Sequence, residues 1–140
     1  MAEELNQTQI NSIVEHINLI MDNIKIYVGR IEESIKKLDR RGDQSIRRFQ
    51  DDLKVLTDSH KEAKEKWDIL KISKALKLMG GSISDIDNAF GVIKNSIRDL
   101  NSGFVNYMNN YREFIYGETF FSNITMVADT IKRHLKFRSK

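Results

Sequence analysis

The sequence predicts an all-α protein, an antiparallel up-down-up-down four-helix bundle with three long helices and a shorter fourth. Three observations predict it. Apolar residues recur at alternating spacings of four and three from Ile86 through Phe90, Ile93, Ile97, Leu100, Phe104, Tyr107 and Tyr111 to Phe114. They do so again from Ile10 through Ile13, Ile17, Ile20, Ile24 and Tyr27 to Ile31. That is the period of a helix seam. Proline is absent from all 140 residues, so no position forbids a long uninterrupted helix. Glycines stand where the periodicity stops, at Gly42, at the Gly80-Gly81 pair and at Gly117.

The first helix is predicted over about residues 5–39. Val14, Met21, Val28 and Ile35 add a third apolar column, which makes its face as wide as a bundle requires. Arg40-Arg41-Gly42-Asp43 ends it, with cations at the helix C-terminus and glycine just past the last turn. The second helix is predicted over about residues 44–79. Its face runs Ile46, Phe49, Leu53, Leu56, weakens at His60 and Ala63, and resumes at Trp67 and Leu70. The apolar phase then moves to Ile69, Ile72, Leu76 and Met79, and the stretch from Asp58 to Asp68 is expected to be the most solvated part of the helix.

The third helix, about residues 83–116, carries the opening ladder, with Ser82 or Ser84 as its expected cap. Ala89, Ser96, Gly103 and Asn110 form a column of short side chains at period seven, a flank suited to close approach by a neighbour. Gly91 and Gly103 each cost about 1 kcal/mol in a helix relative to alanine, so packing is expected to require the missing side chain. The fourth helix, about residues 118–137, shows Phe120, Ile124, Val127, Ile131 and Leu135 on one face. At 1.5 Å per residue it spans about 30 Å, against about 50 Å for each of the others. All 140 residues form one predicted domain, with residues 132–140 as a basic tail.

Placed directly after the third helix, a fourth helix of that length covers only the upper part of the bundle. Ile10, Ile13, Ile17, Leu76, Met79, Ile86 and Phe90 are then expected to line an uncovered apolar groove at the lower end, available to a protein partner or a second copy.

Charge is unevenly placed. The formal charge is +3, from 23 Lys and Arg against 20 acids. Five of those cations fall in residues 132–140, and the rest of the chain is left at −2. Lys132, Arg133, Lys136, Phe137, Arg138 and Lys140 are therefore the candidate contacts to an anionic surface, with Phe137 able to insert beside the charges. A body of net negative charge, lacking a basic face studded with aromatics, argues against nucleic acid. The segment from Lys64 to Met79 joins Trp67 to five lysines at helical spacing, a pattern found both at membrane surfaces and on solvated bundle helices.

Catalytic signals are sparse. With no cysteine there is no thiolate nucleophile, disulfide or Cys-ligated zinc. His16, His60 and His134 stand far apart, and the positions three before them are Ile13, Thr57 and Ile131, not the Glu of a di-iron bundle. Gly80-Gly81-Ser82 lacks the spacing and the lysine of a phosphate loop. No carboxylate is expected on an apolar seam. Arg41-Gly42-Asp43 spells an adhesion tripeptide, but a helix-to-helix turn selects the same letters.

No apolar run is long enough to span a membrane, and the acidic N-terminal residues lack a hydrophobic signal core. The sequons at Asn6 and Asn123 are accordingly not expected to be glycosylated. The expected function is a non-enzymatic protein-interaction or self-assembly module in the cytoplasm. It needs no metal, cofactor or small-molecule substrate. The alternative is a peripheral membrane-binding or membrane-disrupting bundle that uses its basic tail.

Overall fold

The computed structural model describes residues 5–38, 43–73, 81–110 and 120–136. They form four helices in chain order: α1 (Gln7–Leu38), α2 (Asp43–Lys71), α3 (Gly81–Asn110) and α4 (Phe120–Lys136). No strand occurs among the described residues. Each helix packs beside its two cyclic neighbours. The α1–α2 contact is the most extensive and the α2–α3 contact the thinnest.

Cross-helix contacts set the antiparallel register. His16 faces Glu62 and Arg30 faces Asp52 between α1 and α2. Trp67 meets Asp87 at one end of the α2–α3 pair, and Phe49 stacks on Phe104 at the other, with ring centroids 4.7 Å apart. Lys25 pairs with Asp129 and Lys132 with Asp22 between α1 and α4. The four-helix bundle is thus the architecture.

The seams of the sequence are the core. Ile10, Ile17, Ile24 and Ile31 of α1, Phe49, Leu56, Trp67 and Leu70 of α2, Ile86 through Phe104 of the α3 ladder, and Ile124, Ile131 and Leu135 of α4 are all buried. Each such side chain contributes about 1.5–3 kcal/mol on leaving water. A reciprocal capping box starts α1: the Asn6 carboxamide oxygen accepts from the Gln9 backbone N–H at 2.8 Å, and the Gln9 side chain accepts from the Asn6 N–H at 3.0 Å. The first sequon asparagine is therefore a helix cap.

Four sequence expectations are corrected here. The lower end is closed: Ile10, Ile17, Ile86 and Phe90 are buried, and Ile13 packs half-buried against them. The cause is the axial position of α4, which reaches down to this end. Its His134 lies 3.7 Å from Asp85 in the first turns of α3, and its Lys132 holds Asp22. Leu76 and Met79 lie outside the described residues.

The helical stretch of α2 ends at Lys71, and the Ser73 N–H donates to the Leu70 carbonyl at 2.9 Å in the turn that follows. That is where the apolar phase moves, because one straight helix cannot bury both sets. Trp67 and Leu70 are fully buried, whereas Ile69 and Ile72 are 44% and 51% exposed. α3 starts at Gly81, so Ser84 lies inside the helix and is not its cap, and the Ser82 side chain lies outside what the structure describes.

Finally, an acid does enter the interior. Asp52 is buried at the α1–α2 contact. Residues 39–42, where the sequence predicts a turn, and Tyr111, Phe114, Tyr116 and Gly117 lie outside the described residues.

Candidate functional site

The two flanks of α3 differ in what they carry. Ala89, Ser96 and Gly103 fall on the same side as Asp85, the side that meets α4. Short side chains there let α3 and α4 approach closely. The opposite flank carries Asp87, Gly91, Lys94, Arg98, Asn101 and Val105, and it faces α2. Long charged side chains line this flank and α2 from Lys54 to Glu65, where the contact between helices is the thinnest of the four.

The result is a groove along the α2–α3 face, made of two joined hollows of about 470 and 620 Å³. Thr57, Lys94 and Ile97 belong to both. Phe90, Ile97, Leu53 and Phe104 form an apolar floor. Along α3 the groove runs from Asp87 to Val105, about 27 Å of helix. This length and lining match a site for one amphipathic helix.

Gly91 lies on this floor, and a Cβ added there would meet nothing within 4 Å. The expectation that packing within the bundle demands its missing side chain is therefore not met. Its helix cost of about 1 kcal/mol goes with open space.

His60 stands at the edge of the floor, half-buried, with its ring edge-on to Phe90 at 5.9 Å between centroids. Its Nε2 lies 3.1 Å from the Phe90 carbonyl oxygen. A carbonyl only accepts, so Nε2 carries the proton in this contact. Burial pushes the His60 pKa below its ordinary value, and the charges of Lys64 and Lys94 push the same way, against the Phe90 hydrogen bond.

At the lower end, the Trp67 indole N–H donates to Asp87 at 2.6 Å, and Lys71 approaches the same carboxylate oxygen at 3.1 Å. Burial opposes the charge on Lys71, but Asp87 and Asp68 outweigh it and raise its pKa. Lys64 is taken up by Asp68 at 2.7 Å.

The remaining rim is unbalanced. Lys54, Lys61, Lys94 and Arg98 form no ion pair among the described residues, and Asp58 and Glu65 are the only acids on the rim left similarly free. The hollow between α1 and α4, about 500 Å³, contrasts with this, because the Lys25–Asp129 pair at 2.8 Å bridges it.

Of the groove residues expected from the sequence, Phe90 lines this groove, and Lys54, Lys61, Lys94 and Arg98 were not singled out. Gly91 was the available signal. Of the anionic-surface candidates, Lys132 is engaged by Asp22 and Arg133 is exposed, its guanidinium 3.4 Å from the Thr130 hydroxyl. The Lys136 side chain, Phe137, Arg138 and Lys140 lie outside the described residues.

No group of His, Cys, Asp or Glu suited to a metal ion occurs among the described residues. None of the described helices is long and apolar enough to cross a membrane. No family model, curated protein or solved structure matches the chain.

Proposed function

We propose that this chain is a non-enzymatic helical-bundle module for protein interaction or self-assembly, and that it works by docking an amphipathic helix in the α2–α3 groove. Its place is the cytoplasm, free or peripheral to a membrane, and its work involves no cofactor, small-molecule substrate or nucleic acid. One observation carries the reading. Among the described residues, the α2–α3 seam combines an apolar floor, open over about 27 Å, with a rim on which four cations and two acids, Asp58 and Glu65, lack ion-pair partners.

The test is a selection of displayed helical peptides of about 18 residues on the wild-type protein. A Gly91→Gln variant, whose new side chain would lie in the hollow, serves for counter-selection. Groove-dependent binders are the expected result, weakened at least tenfold by the variant. Enrichment that ignores the substitution, or none at all, sinks the reading.

A second reading rests on Ile69 and Ile72, which stand exposed at the end of α2 beside Lys66 and Lys71. Together with the basic tail they would attach the bundle to anionic lipid. Flotation with vesicles containing phosphatidylserine tests this. Equal flotation with neutral vesicles, or none with either, removes it.

A further inference from the structure

Resting on the helix-docking reading above, we infer that the occupant of the α2–α3 groove is a partner protein's amphipathic helix with one acidic flank. That flank lies along α3 and sets two Asp or Glu residues, four apart, against Lys94 and Arg98. The two walls of the groove differ in charge. On the α2 wall, the groups without an ion pair among the described residues are Lys54, Asp58, Lys61 and Glu65, which alternate in sign and sum to zero. Lys64 on the same wall is taken up by Asp68. On the α3 wall, Asp87 is held by Trp67 and Lys71, and the charges left over are Lys94 and Arg98, both exposed. The excess positive charge of the rim therefore belongs to α3.

The α3 helix itself does not offset this pair. Apart from each other, the residues three and four positions from Lys94 and Arg98 are Phe90, Gly91, Asn95, Ile97, Asn101 and Ser102. None is an acid, and like charges four apart on a helix oppose one another. Asp58, the acid that shares the upper hollow with them, forms no ion pair with either. An acid on an incoming helix relieves that repulsion.

Geometry places it. Ile97 is buried on the floor beside both cations, and Phe90 continues the floor downward. A helix seated on these two carries one flank over Lys94 and Arg98. Acids four apart on that flank share a face and stand about 6 Å apart, the spacing of the two cations along α3. The match holds for either direction of the incoming helix. Its other flank, over the balanced α2 wall, needs no net charge. A basic flank over α3 would add to the repulsion, so the groove selects by charge as well as by shape.

The test is a display library of helices of about 18 residues in which every flank position is Glu, Gln or Lys and the apolar stripe varies. It is selected on the wild type and on a Lys94→Glu, Arg98→Glu variant, whose fold is checked by circular dichroism and melting. Loss of binding to Gly91→Gln again marks the groove-dependent binders. On the wild type these should carry Glu at two positions four apart on one flank, and bind the reversed variant about tenfold more weakly. The reversed variant should select Lys at the same positions. Sedimentation should show the wild type as a monomer.

Groove-dependent binders with no charge preference, or with one that the reversal leaves unchanged, overturn the acidic flank and leave the docking reading standing. A wild type that self-associates, and ceases to in the reversed variant, puts a second copy in the groove and overturns the partner protein. The absence of groove-dependent binders removes both readings.

Discussion

The Arg30 guanidinium grips the buried Asp52 carboxylate with two nitrogens, Nη2 to Oδ1 at 3.0 Å and Nε to Oδ2 at 3.3 Å. The same guanidinium lies 4.8 Å from the centre of the Tyr27 ring. Arg30 is half-exposed while Asp52 is sealed, so the pair locks α1 to α2 from the rim inward. Such a fork is shape-specific in a way a lysine is not.

Removing one partner is therefore expected to cost more than removing both. Arg30→Ala leaves a buried carboxylate uncompensated and should destabilise the fold by about 3 kcal/mol, the lower end for broken buried pairs because Arg30 itself reaches solvent. Arg30→Met combined with Asp52→Leu should recover most of that loss. Urea unfolding of the three proteins decides it, and equal losses in the single and double variants would sink the argument.

His60 makes stability depend on pH. Its folded pKa lies below the ordinary 6.5, first because of burial. The unfolded chain then binds the proton more readily, so the fold is unpenalised above that ordinary value and loses stability as pH falls through it toward the folded pKa. His60→Gln keeps an N–H donor for the Phe90 carbonyl but cannot titrate. The wild type should lose stability relative to His60→Gln as pH falls below about 6.5 and match its trend above about pH 7. Parallel profiles across that range would contradict the assignment.

Gly29 in α1 and Gly91 in α3 both have open space where a Cβ would stand. Alanine at either site should raise stability by up to about 1 kcal/mol, since a helical glycine costs that much and nothing obstructs the methyl group. The sites lie on different helix pairs, so the double variant should sum the two gains. Thermal melting checks this. A loss at either position would mean the site is filled in solution.

Trp67 is the only tryptophan and is fully buried, with its N–H on Asp87. Asp87→Ala leaves that donor unpaired and should cost about 1–2 kcal/mol. The change can be read directly in the tryptophan emission. An unchanged spectrum with unchanged stability would remove Asp87 from the packing of this end.

Much of the interior was legible in the sequence because helical periodicity is a property of each segment alone. Residues three and four apart share a face whatever stands opposite, so Ile10 through Ile31 and Ile86 through Phe104 could be assigned to seams before any neighbour was known. The end of α2 was also half-written, as the slip from Leu70 to Ile69 and Ile72. Asp52 was not legible. It neighbours Leu53 at the edge of the seam, and only the arrival of Arg30 from another helix makes its burial tolerable.

What the sequence alone determined was the class, the helices and the face each one buries. It could not determine how far one helix slides along another, because a regular ladder looks alike after a shift of one heptad. Contacts between helices decided that: His134 at Asp85 and Lys132 at Asp22 carry α4 to the lower end, where Ile86 is buried, and leave Phe90 to the floor of a groove on the α2–α3 face. The open surface then fell where facing flanks are bulky and charged, between Lys54–Glu65 of α2 and Lys94–Arg98 of α3. That spacing belongs to a pair of helices, and neither sequence segment states it alone.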